Sequence, residues 1–94
     1  MNEENIKLGQ WTYQNDRSTI KATYRAASSP KQDFVVTINR DTLEYQIQLL
    51  VKTHASVPYV LFECQGDNDS IPLNRVIDLV VEKYGIPKPE IKEV

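Results

Sequence analysis

Residues Phe34 to Gln65 read FVVTINRDTLEYQIQLLVKTHASVPYVLFECQ, and the parsing of this stretch decides the fold. Successive strand residues point to opposite faces, so a chain that turns back keeps its apolar side chains together only if parity survives the turn. Three consecutive segments meet that condition. Phe34, Val36 and Ile38 alternate with Val35, Thr37 and Asn39, and Leu43, Tyr45, Ile47, Leu49 and Val51 alternate with Glu44, Gln46, Gln48, Leu50 and Lys52. A tight turn centred on Arg40 and Asp41 sets Ile38 opposite Leu43, Val36 opposite Tyr45 and Phe34 opposite Ile47. A second turn over Ala55 to Pro58 pairs His54 with Tyr59. It carries the apolar face on through Cys64, Phe62 and Val60, opposite Leu49, Val51 and Thr53.

A helix competes for the middle segment. Asp41-x-x-Glu44 has the form of a capping box, and Leu43, Ile47, Leu50, Val51 and His54 recur at helical spacing. That reading strands Tyr45 and Leu49 off the apolar stripe, supplies no Gly or Asn stop, and discards the agreement with both flanking segments. Strand is therefore the expectation for the middle segment, Thr42 to Thr53.

Working outward, Ile6 to Ala27 reads as a hairpin turning at Asn15-Asp16, residues that tolerate the left-handed conformation of such turns. It pairs Tyr13 with Ser18, Trp11 with Ile20 and Gly9 with Ala22. One face collects Trp11, Tyr13, Ile20, Ala22, Tyr24 and Ala26, and the other is polar. Ala27 to Asp33, ASSPKQD, is a loop. After the central strands, Gly66 to Ser70 (GDNDS) turns the chain into a helix expected from Ile71 to Tyr84. Ser70 is its cap, Pro72 lies in its first turn, and Gly85 with Pro87 stops it. Leu73, Val76, Ile77, Val80, Val81 and Tyr84 form an apolar stripe, with Leu79 off it. The stripe needs a surface to cover, and the sheet face is the large one available. The expected fold is α+β: an antiparallel meander of about five strands with one C-terminal helix packed on one face. Residues 1–94 form a single domain in this reading, with 1–5 frayed and 86–94 an extended tail or short edge strand.

Composition bounds the function. A chain of 94 residues with 40% hydrophobic and 26% charged residues is that of an ordinary globular domain. No apolar run approaches the roughly 18 residues that span a bilayer, and MNEENIKLGQ lacks the basic and apolar regions of a secretory signal. A single cysteine, Cys64, has no partner for an internal disulfide. These features predict a cytoplasmic protein without membrane contact.

The net charge of −2 gives no general attraction for polyanions, yet it is unevenly spread. Between Ile6 and Leu43, six bases (Lys7, Arg17, Lys21, Arg25, Lys31, Arg40) face three acids (Asp16, Asp33, Asp41), a balance of +3. Between Glu63 and Val94, seven acids face four bases, a balance of −3.

Catalysis, metal and cofactor sites are not expected. The conventional nucleophile and base would be Cys64 and His54. In the expected register they lie about 17 Å apart and on opposite faces. One Cys and one His do not make a zinc site, and Asp67, Asn68, Asp69 and Ser70 do not continue into a calcium loop, so the cluster reads as a turn and helix cap. Gly9, Gly66 and Gly85 are isolated, which excludes a phosphate-cradling loop.

Two functional expectations remain. The first is a small non-enzymatic interaction or regulatory module that meets an unidentified protein partner through a sheet face or edge, as a homodimer, with Val35, Leu50 and Leu61 as the exposed apolar candidates. The alternative is a sheet domain for single-stranded nucleic acid using Arg17, Lys21 and Arg25, with Lys7 and Lys31 nearby. Against the alternative, Trp11, Tyr13 and Tyr24 fall on the other face, away from the basic groups they would need to assist.

Overall fold

The computed structural model describes residues 7–53, 57–67 and 70–90. Alternating polarity yields strands β1 (Trp11–Asn15), β2 (Thr19–Arg25), β3 (Gln32–Asn39), β4 (Glu44–Val51) and β5 (Tyr59–Asp67), followed by helix α1 (Leu73–Tyr84). The strands pair antiparallel in sequence order, a five-stranded meander, so β1 and β5 are its edges. The middle segment is strand, as its period-two pattern requires. Ile47 and Leu49 are its deepest side chains, 1% and 2% exposed.

The inner face is the one expected. Ala22, Val36, Ile38, Tyr45 and Ile47 are buried with Leu73 and Ile77 of α1, while Val76, Val80 and Val81 pack against them. A second cluster joins Tyr24, Phe34 and Leu49, closed by Tyr84, whose ring centroid lies 5.0 Å from that of Phe34. Leu79, off the helical stripe, is exposed. The helix stops at Gly85, which takes φ 68 and donates its N–H to the Val81 carbonyl, and Ile86 N donates to the same oxygen. A Cβ disfavours that left-handed backbone, which is why a glycine ends the helix.

Three registers differ from expectation, for identifiable reasons. In the first hairpin Tyr13 faces Ala22 and Trp11 faces Tyr24, because Asp16 does not sit at the turn centre. Its Oδ1 instead accepts the N–H groups of Ser18 (2.9 Å) and Thr19 (2.8 Å), folding the turn around Arg17 and Ser18. Gly9 accordingly meets Arg25, donating to its carbonyl at 2.7 Å, and not Ala22. Between β3 and β4, Asn39 Oδ1 accepts from Asp41 N and Thr42 N, and Leu43 turns left-handed at φ 61. Leu43 thus belongs to the turn. Ile38 faces Tyr45, Val36 faces Ile47 and Phe34 faces Leu49. Both slips are even, so neither moves a side chain to the other face.

The third difference does change a face. Cys64 pairs with Ile47 and Phe62 with Leu49, but Leu50 pairs with Val60, leaving Leu61 unmatched in a β-bulge. Cross-strand partners share a face, so Val60 joins Leu50 on the outer side, where the sequence reading had placed it inside. At the helix start, Ser70 is not the cap. Its N–H is turned to Asp67, whose carbonyl also accepts from Ile71, and the helix opens at Leu73 with Pro72 in the cap position and no side-chain cap. Residues 86–90 belong to neither helix nor strand. The expectations for 1–5 and 91–94 lie outside the described residues.

Candidate functional site

Among the described residues β5 has β4 as its one neighbour in the sheet, and its leading half is apolar. Tyr59 is 61% exposed, Val60 43% and Leu61 54%, with Val57 just before the strand also open to solvent. Bulge geometry explains the middle of this set. An extra residue has no partner across the ladder, so Leu61 projects at the edge and Val60 turns outward beside the half-buried Leu50. The trailing half of β5 is acidic. From Val57 to Asn74 the chain carries Glu63, Asp67 and Asp69 and no Lys, Arg or His.

Of the three apolar residues singled out by sequence, Leu61 is exposed and Leu50 is half-buried beside Val60. Val35 is 6% exposed, enclosed within the monomer on the outer face of β3, and is not available as a contact. Sequence reasoning passed over Val57, Tyr59 and Val60. Their signal was present in the run VPYVLF, which contains a proline and belongs to the last strand of a meander, hence to an edge.

Glu63 anchors the outer face of β4 and β5. Its carboxylate accepts from the side-chain amides of Gln65 (2.7 Å), Gln46 (3.1 Å) and Gln48 (3.3 Å). The Gln65 amide, then that of Gln48, holds its carboxyl below the usual range. The group stays ionised and is supported by neutral donors, which suits a flat, hydrated polar surface.

The basic residues do not form a continuous strip. Arg25 is engaged with Asp33 through two bonds, Nε to Oδ1 at 2.7 Å and Nη2 to Oδ2 at 2.8 Å, and both side chains are largely buried. Arg17 stands in the first turn, Lys21 is exposed on β2, Lys7 bonds Thr12 Oγ1 through its backbone N–H, and Lys31 lies in the loop before β3. Trp11 and Tyr24 meet at 5.5 Å between ring centroids, tilted by 42°, on the inner face, so neither ring stands among these cations.

Cys64 is half-buried on the inner face opposite Ile47, whereas His54 lies outside the described residues. Asp67 closes the turn before α1 through the Ser70 and Ile71 amides; Asn68 and Asp69 lie outside the described residues. Among the described residues no three His, Cys, Asp or Glu side chains converge, and no helix is long and apolar enough to cross a membrane. A small apolar void under the helix, bounded by Trp11, Val36, Ile77, Val81, Ile86 and Pro89, holds about 10 Å³. Pockets for small molecules run to hundreds of Å³.

Comparison of the chain with protein-family models, with curated proteins and with solved structures finds no match in any of the three.

Proposed function

We propose that this chain is a non-enzymatic protein-interaction module that works through the open edge of β5, and that its first partner is a second copy of itself. The observation that carries the reading is the exposed run Val57, Tyr59, Val60 and Leu61 on an edge strand. Unpaired strand edges invite a further strand, and natural sheets usually blunt them with charge, proline or a covering segment. Pro58 and the bulge limit how far pairing can run. They leave a short apolar stretch suited to one added strand.

Antiparallel pairing of two copies about Tyr59 sets the apolar halves side by side and sends the acidic halves in opposite directions. Glu63 of one copy then lies roughly 27 Å along the strand from its equivalent, well beyond a Debye length of about 8 Å. A parallel arrangement would bring these carboxylates together. The antiparallel one is also closed by a two-fold axis, so it ends at a dimer.

Light scattering over a concentration series tests this, comparing the unaltered chain with Val60→Lys/Leu61→Lys. Both positions are exposed, so the variant should fold as before and remain monomeric while the unaltered chain dimerises. A strict monomer for the unaltered chain at millimolar concentration removes the proposal.

A further inference from the structure

Residues 86–90, Ile-Pro-Lys-Pro-Glu, contact both β1 and α1, and most of their anchors are main-chain or apolar. Trp11 Nε1 donates to the Pro87 carbonyl at 2.7 Å, and Glu90 N donates to the Tyr13 hydroxyl at 2.8 Å. Ile86 packs against the Tyr24, Phe34 and Leu49 cluster, and Pro89 is buried. A side-chain polar contact, Lys88 Nζ to Asp78 Oδ1 at 2.9 Å, is exposed and carries little weight.

The spacing has a physical logic. Proline fixes φ at positions 87 and 89, and a residue before proline is driven out of the helical region, so Ile86 and Lys88 favour extended or polyproline-like backbone. The Pro87 carbonyl and the Glu90 N–H both meet side chains of β1. Trp11 and Tyr13 are two apart on one face of β1, about 7 Å, and present one donor and one acceptor to those groups. The apolar side chains of Val80 and Val81 on α1 help line the floor beneath Ile86 and Pro89.

We infer that the groove between β1 and α1 is a receptor site for an extended segment of the class aliphatic-Pro-x-Pro, filled in the isolated chain by its own residues 86–90. The groove reads two backbone groups and two apolar plugs, features that any segment of this class brings. A partner protein carrying one is therefore bound in place of the chain's own segment. Gly85, already left-handed at φ 68, is the joint about which that segment lifts. This proposal is independent of the β5 edge, which lies at the other end of the sheet.

Trp11 is the chain's single tryptophan and reports the groove directly. In the full chain, Ile86→Ser/Pro89→Ser should loosen the segment and shift Trp11 emission to the red. The probe is the capped peptide Ile-Pro-Lys-Pro-Glu, which should restore the blue emission saturably. A peptide with both prolines replaced by alanine should bind at least about tenfold more weakly, having lost its preformed backbone. The unaltered chain should bind a fluorescein-labelled copy of the peptide at least about tenfold more weakly than the variant, because the tethered segment competes at millimolar effective concentration. Pro89→Ala replaces the double variant if circular dichroism shows the latter unfolded. Absence of saturable binding to the folded variant, or equal binding of the alanine peptide, overturns the inference.

Discussion

Gly66 sits where a methyl group would collide with the Tyr45 ring: a Cβ there would lie 2.7 Å from the hydroxyl oxygen and 2.9 Å from the carbon that bears it. The ring passes over β5 at this point so that its hydroxyl can donate to the Ile71 carbonyl at 2.9 Å, tying the sheet to the approach of α1. Tyr45 is 4% exposed and has little room to retreat. Gly66→Ala should therefore cost about 1–3 kcal/mol, read as a lower urea midpoint at unchanged slope. Tyr45→Phe, which removes the hydrogen bond, should cost about 0.5–1.5 kcal/mol. Burial, then Cys64 and Asp67, pushes the Tyr45 hydroxyl above its ordinary value of 10.0. Its contribution is complete below the unfolded value and disappears as pH rises through the raised one. Stability of the unaltered chain should fall above pH 10 more steeply than that of Tyr45→Phe. Asp16 has the opposite sign. The Thr19 and Ser18 amides hold its carboxyl below 3.8, so its support is present above that value and fades as pH falls through the lowered one. Thermal melts at neutral pH should rank Asp16→Ala below Asp16→Asn, because the amide keeps an acceptor for the same turn.

At the scale of elements, β4 is the decisive case. Leu49→Lys puts an ammonium into the deepest part of the core and should unfold the domain, since total stability is of the order of 5–15 kcal/mol. Gln48→Lys, one residue away, places a cation beside Glu63 on the outer face and should leave the denaturation midpoint nearly unchanged. Equal tolerance of the two would contradict the placement of β4 between β3 and β5. The alternation from Glu44 to Val51 made this contrast legible in the sequence, because period-two polarity reports which face a residue joins. It does not report which residue lies opposite. The register of the first two hairpins depended on where the Asp16 and Asn39 side chains found backbone donors, and on a leucine at position 43 accepting a left-handed backbone. The bulge at Leu61 left no sequence mark, since an apolar run looks the same with or without an extra residue. That is why Leu50 and Leu61 could be singled out from the alternation of faces while their true companion, Val60, was assigned to the core. Helix α1 was legible at its end, where Gly85 and Pro87 leave no alternative. It was misread at its start, where Ser70 had two competing uses.

At the scale of the whole molecule, the two ends of the sheet are treated differently. Beside β1 the core is closed by residues 86–90, held by Trp11 and Tyr13, while β5 presents apolar side chains followed by acids. Any strand that joins β5 meets both surface types in order. Like charges constrain the orientation of a self-paired dimer more than apolar contact does, because the Val57 to Leu61 stretch fits either direction. In a parallel dimer Glu63 and Asp67 would each face their equivalents, and association would strengthen sharply as salt screened them. In the antiparallel dimer these groups sit at opposite extremes and screening changes little. Sedimentation equilibrium at low and high salt should therefore give dimer constants within about twofold of each other, the small residue reflecting the net charge of −2 on each copy. A rise of about tenfold or more with salt would identify a parallel pair, and a fall of that size would point to an interface in which the acids meet bases of the partner, such as Lys21 or Arg17 on the far side of the sheet.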